Sequence, residues 1–178
     1  MVLAGACLVP LLLGVLEPTR LALPVTVQDT VRLPIQELAA AEAQASVIYS
    51  SIRVDIKWDA ATDKGLHLVI VRSAAARLGA TEDALGLTPA TLAGPARRAY
   101  VFVDRVRSVL PELHMDFRTL LGCALAHELG HMLLPAHAHS ETGIMRAFWD
   151  AAHFSMGGSD YLHFTPWQEK MIRLAIAQ

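Results

Sequence analysis

The stretch HELGHMLLPAHAHSETGIM, residues 127–145, restricts what this chain can be more than any other part of it. His127 and His131 stand four residues apart. On an α-helix four residues turn about 400°, so the two imidazoles lie about 40° apart on one face. Nitrogens so placed can share a single Zn²⁺ at about 2.0–2.1 Å. Glu128 travels beside them, near the metal yet not needed as a ligand. A carboxylate there can take a proton from zinc-activated water and hand it to a leaving amine. Pro135 ends the helix, so a third ligand must come from the loop beyond it. His137 and His139 both lie in that loop, and spacing alone leaves the two open. Three histidines with a fourth position for water describe a catalytic zinc rather than a structural one. The plain alternative is an amphipathic helix whose histidines are exposed or hydrogen-bonded and hold no metal.

A helix over about Asp116–Leu134 carries the motif, with Asp116 as its N-cap. IQELAAAEAQASVIYS, residues 35–50, is Ala-rich with apolar residues at helical spacing and reads as a second helix. The segment LPVTVQD, just after Pro18, alternates like a strand. In SIRVDIKW, residues 51–58, Ile52, Val54, Ile56 and Trp58 alternate with Arg53, Asp55 and Lys57, which marks a half-buried strand. LHLVIV, residues 66–71, is a continuous β-type apolar run suited to the centre of a sheet. AYVFVDRV, residues 99–106, reads as another strand, and the Gly- and Pro-bearing residues 79–97 as a loop. FTPWQEKMIRLAIAQ closes the chain as a helix with Thr165 as N-cap and Pro166 at its first position. The expected fold class is α+β, a mixed β-sheet with the metal-binding helix packed on it.

With 178 residues the chain suits one domain with a real core. Its 53% apolar content argues against disorder. Acids number 17 against 15 bases and no basic run occurs, so nucleic acid is not an expected partner. The opening MVLAGACLVPLLLGVL is almost wholly apolar but shorter than the about 20 residues that span a bilayer. It fits a signal-peptide core, although no Lys or Arg precedes it. The expectation is a leader over residues 1–23, a single catalytic domain over 24–178, and an exported protein touching a membrane only through an uncleaved leader. Loss of the leader would remove Cys7 and leave Cys123 without a disulfide partner, a small buried hydrophobe.

The motif resembles that of the metzincin zinc metallopeptidases, H-E-x-x-H-x-x-G-x-x-H followed by a methionine-bearing turn. On that pattern His127, His131 and His137 are ligands, Glu128 is the general base and Met145 is the turn methionine, an apolar floor beneath the metal. The family's glycine position holds Leu134 here, and Leu does not readily take the positive φ that a sharp turn requires. The whole chain also looks like a group of exported bacterial proteins that share VIYSSIRVDIKW, AYVFVDRV, HELGHMLLP, HSETGIMRAFW and FTPWQEKMIR. There the third histidine is the one before serine, which is His139. The resemblance therefore implies His127, His131 and His139 as zinc ligands, with His137 as the alternative third. It implies a metzincin-like fold with a methionine turn and a C-terminal helix, and hydrolysis of peptide or protein substrates. A catalytically inactive, zinc-stabilised binding domain on the same scaffold is the alternative. Ser140 and Asp150 are candidates to hold a ligand imidazole, Tyr161 to face an oxyanion, and Phe148 and Trp149 to pack under the turn.

Overall fold

The computed structural model describes residues 19–60, 65–73, 79–81, 83–89, 96–136, 138–155 and 162–178. Strand β1, Leu21–Asp29, lies inside a five-stranded sheet. Its final residue turns the chain. The Asp29 carboxylate accepts from the backbone N–H groups of Val31, Arg32 and Leu33, and Arg32 takes φ 62° in that turn. Helix α1, Ile35–Ser50, follows over the expected residues. It returns the chain to β2, Val54–Trp58, which runs parallel to β1. On the other side of β1 lies β3, Leu66–Val71, also parallel, and beyond it β5, Arg98–Phe102. The edge strand β4, Gly86–Leu87, pairs antiparallel with β5, giving the order β2-β1-β3-β5-β4 and a mixed sheet.

The domain begins before residue 24. Leu21, Ala22 and Leu23 pair with Val54, Asp55 and Ile56, so these residues, assigned to a leader from sequence, belong to the sheet. The run 99–106 is not one strand. Its strand stops at Phe102, and helix α2, Val103–Ser108, begins at once, with Val103 and Val106 buried at helical spacing and Asp104 in the first turn. A short α3, Leu110–Leu113, leads to α4, Phe117–Leu133. The strand expected over 51–58 starts only at Val54, because residues 51–53 form a turn with Arg53 at φ 59°. The presumed loop 79–97 contains β4.

Helix α4 starts on its expected cap: the Asp116 side chain accepts from the N–H groups of Arg118 and Thr119. It packs beside α1 and over β3 and β5. Gly122 makes the close helix approach possible, since a Cβ there would stand 2.6 Å from the Ala41 carbonyl oxygen. Leu121, Leu125 and Leu129 of α4 are fully buried, as are Leu68, Ile70 and Val101 of the sheet. Each such side chain contributes about 1.5–3 kcal/mol of burial. Cys123 is a free, buried cysteine in this layer. Short α5, Ala151–Ser155, and then α6, Pro166–Ile176, complete the described chain. Arg173 of α6 donates to the carbonyls of Thr19, Ile52 and Arg53, fastening the last helix to the start of β1 and the turn before β2. No helix among the described residues is long and apolar enough to cross a membrane.

Candidate metal centre

The last two turns of α4 carry His127, Glu128 and His131, and the helix ends where Leu134 takes φ −98°, ψ 156°. That is extended backbone, open to any residue. The chain leaves the helix without a left-handed turn, which explains how leucine stands where metzincins have glycine. Five residues beyond this exit stands His139. Its Nε2 lies 3.1 Å from His131 Nε2, which in turn lies 2.9 Å from His127 Nε2. The ligand atoms of all three histidines fall within 4.8 Å of one another, the one such His/Cys/Asp/Glu group of three or more among the described residues. His137 lies outside the described residues.

The donor set fits a zinc ion. His127 Nδ1–H donates to the Ile144 carbonyl at 2.8 Å, which fixes the tautomer and leaves Nε2 as a bare lone pair. Burial pushes the pKa of His127 down to about 4, the Ile144 bond opposing it, and burial pushes His131 down to about 3, with the neighbouring histidines adding to the fall. Both are therefore neutral at pH 7, as ligands must be. Tetrahedral ligands at about 2.0–2.1 Å stand about 3.3–3.4 Å apart. The observed 2.9 and 3.1 Å are a few tenths shorter, an opening that imidazole rotation supplies.

Met145, a few residues beyond His139, is fully buried. Gly130 is the reason it fits, because a Cβ at that helix position would stand 2.4 Å from Met145 Sδ. The turn carrying Met145 is closed by Ser140 N–H to the Met145 carbonyl at 3.0 Å and by Ile144 N–H to the His163 carbonyl at 2.9 Å. Gly143 sits at φ +78°, and a Cβ there would come within 2.2 Å of that same His163 oxygen, so glycine is required twice over. The methionine is thus packed on the helix at Gly130.

Glu128 is 5% exposed. Its carboxyl rests against the edge strand, where a Cβ on Gly86 would meet Glu128 Oε1 at 2.6 Å. The Thr88 hydroxyl lies 2.7 Å from Glu128 Oε2 and 3.3 Å from the Glu128 carbonyl oxygen. Burial lifts the Glu128 pKa to about 8, against the lowering effect of Thr88. A cleft of about 1100 Å³ opens above these groups, walled by β4, α2, the end of α4 and residues 146–149.

Several expected neighbours have different roles. The Ser140 hydroxyl donates to the Thr142 carbonyl at 2.7 Å, and the Ile144 carbonyl holds His127. Phe148 is 75% exposed at the cleft wall, not packed under the turn. Trp149 meets His127 edge-on, with ring centroids 5.6 Å apart. Asp150 is exposed, and Tyr161 lies outside the described residues. Sequence reasoning passed over Thr88, Gly86 and Gln168. The last carried a readable signal, since T-P-W-Q is a capping-box pattern in which the fourth residue is normally spent on the helix end.

No protein-family model matches the chain, and no curated protein matches it in sequence. Among solved structures it is similar to archaemetzincin from Methanopyrus kandleri, with 16% identity and a TM-score of 0.50 over 92% of this chain and 99% of that one. The likeness shows the fold, which is metzincin-like: an α+β domain with a mixed five-stranded sheet.

Proposed function

We propose that the chain is a zinc-dependent metallopeptidase, with His127, His131 and His139 as the metal ligands and Glu128 as general base. The observation that carries this reading is the convergence of three imidazole Nε2 atoms at the floor of an open cleft, with a buried carboxyl next in sequence. The resemblance of the motif to metzincin peptidases supports it, and the fold agrees. Zinc in this position would polarise a substrate carbonyl and make bound water acidic enough to act as a nucleophile near neutral pH. With the metal bound, Glu128 would take the water proton on a carboxylate oxygen and pass it to the departing amine. A group that must both accept and release a proton works best with a pKa near the working pH, and burial has moved Glu128 in that direction. Strand β4 is a sheet edge beside the cleft, and its open side offers main-chain groups to an extended peptide. The apolar residues 1–16 support export.

The second reading, a zinc-stabilised binding domain without turnover, is favoured by one observation. The Glu128 carboxyl is nearly enclosed and already bonded to Thr88. One experiment separates the two. The full chain is assayed on a general protein substrate, with and without a chelator, beside Glu128→Gln. The peptidase reading expects chelator-sensitive hydrolysis that falls by about a thousandfold or more in Glu128→Gln while zinc content stays at wild type. Unaltered hydrolysis in Glu128→Gln overturns it. A wild-type chain that holds zinc and cleaves nothing leaves the binding-domain reading.

A further inference from the structure

Gln168 is a polar side chain only 1% exposed, and the helix cap accounts for one of its three side-chain bonds. Its Oε1 accepts from the Thr165 backbone N–H at 2.9 Å, while the Gln168 backbone N–H donates to Thr165 Oγ1 at 3.3 Å. Those two bonds are the capping box, which a glutamate at the same place makes equally well. The other half of the carboxamide points away from α6. Nε2 donates to the Ala138 carbonyl at 3.0 Å and to Ser140 Oγ at 3.1 Å. Those are the two residues that flank His139.

We propose that Gln168 is a positioning residue for the metal centre, a clamp from α6 that holds the His139 loop on both sides of the third ligand. The assignment of oxygen and nitrogen is forced by the partners: a backbone N–H can only donate and a backbone carbonyl can only accept. A carboxylate at 168 would face the Ala138 carbonyl with no proton to share. The cap therefore leaves glutamine and glutamate equivalent, and the loop alone requires glutamine. The clamp extends further. Ser140 Oγ, having accepted from Gln168, donates to the Thr142 carbonyl, and Ser140 N–H bonds the Met145 carbonyl, so one side chain braces both the ligand loop and the methionine turn. His127 and His131 take their places from α4, with the Ile144 carbonyl on His127 Nδ1–H. A ligand on a loop has its geometry set by what the loop is tied to.

The inference rests on the zinc reading above. Its test is zinc affinity of the full chain by competition with a chromophoric chelator, together with the visible absorption of the Co²⁺-substituted protein. The variants are Gln168→Glu, Ser140→Ala and Thr165→Ala. Gln168→Glu keeps the capping acceptor and loses the clamp. Its expected zinc affinity is about ten- to a hundredfold weaker, with a changed Co²⁺ spectrum. Ser140→Ala removes one of the two acceptors without touching α6, and should weaken zinc by about two- to tenfold. Thr165→Ala loses the cap alone and should lower the melting temperature while binding zinc as wild type does. Wild-type affinity and an unchanged Co²⁺ spectrum in both Gln168→Glu and Ser140→Ala overturn the clamp while the zinc reading stands. Equal losses in Thr165→Ala and Gln168→Glu also overturn it, since helix capping then suffices. A wild-type chain that takes up no zinc overturns both readings together.

Discussion

Two regions of the molecule bring the three candidate ligand histidines to one point by different physical means. Helix α4 sets His127 and His131 through its own pitch, one turn apart, on backbone packed against α1 and the sheet. The described residues of 134–145 form no helix or strand, and tertiary bonds set His139 and Met145: Gln168 to Ala138 and Ser140, Ile144 to His163, Met145 against Gly130. The helix half of the site comes with the secondary structure. The loop half exists only once α4, α6 and residues 162–165 have assembled around it. Damage to the helical half should therefore act locally on the metal, whereas damage to the loop half should arrive from residues that never touch it.

The largest effects should separate the two halves directly. His131→Ala leaves one helical and one loop ligand; His139→Ala leaves the preorganised i, i+4 pair. Both variants lose zinc affinity, and His131→Ala should lose more, by about a thousandfold or more against about a hundredfold. Titration of each variant against a chelator measures this, with His137→Ala alongside. Wild-type affinity in His139→Ala with loss in His137→Ala would reassign the third ligand and undo the contrast. The next effect comes from where the halves touch. Gly130→Ala places a methyl where Met145 Sδ stands at 2.4 Å, so the turn must move outward. Overpacking of this kind costs about 1–3 kcal/mol, read as a lower denaturation midpoint. Zinc should weaken in the same variant, although no ligand is altered.

The same division explains what the residues disclose before folding. α1 and α4 follow periodicity, and Asp116 and Thr165 follow cap chemistry. Each signal lies within one turn of the backbone it organises, and the two caps form as expected. His127, Glu128 and His131 are legible for the same reason. Strand β5 was overextended into α2, because VFVDRV satisfies an alternating pattern and a helical one, and only the burial of Val103 together with Val106 decides between them. Strand β4 is two residues long and stabilised by pairing with β5, which local sequence does not encode. Thr88 and Gln168 act across separations of 40 and 28–30 residues, beyond any local pattern. Leu134 is the instructive case, since its clash with the positive-φ rule pointed to a different exit from the helix, which its extended φ and ψ now show.

A moderate effect on stability should follow pH in the metal-free chain. His127 and His131 are pushed down to about 4 and about 3, below their usual 6.5. Their contribution is present above pH 6.5 and is lost as pH falls through 4 to 3, because the unfolded chain then binds the protons more readily. Glu128 works in the opposite sense. Raised from 4.5 to about 8, it contributes stability below pH 4.5 that is lost as pH climbs to 8. The melting temperature of the zinc-free protein should therefore rise from pH 4 to about 6.5 and then decline toward 8. Glu128→Gln should remove the decline and steepen the rise between about pH 4.5 and 6.5, which calorimetry across that range checks. A decline that persists in Glu128→Gln would place its source outside the helix.

The smallest effect tests how the base is held. With the Glu128 pKa near 8 the carboxyl is mostly protonated at pH 7 in the metal-free chain, so its bond with Thr88 joins two neutral groups. The Thr88 hydroxyl donates to Glu128 Oε2 at 2.7 Å, with the Glu128 carbonyl 3.3 Å away as a second acceptor. A neutral pair contributes about 0.5–1.5 kcal/mol, so Thr88→Val should cost no more than that at pH 7. At pH 9 the carboxylate is ionised and loses a hydroxyl donor in a buried site, where bonds to charge are worth about 1.5–3 kcal/mol. The penalty of Thr88→Val should accordingly grow with pH, and denaturant midpoints at pH 7 and 9 measure the growth. A penalty independent of pH would mean that Thr88 serves only to pack β4 on α4. Glu128 would then be held by the helix alone, unlike His127, whose Nδ1–H is tied to the Ile144 carbonyl.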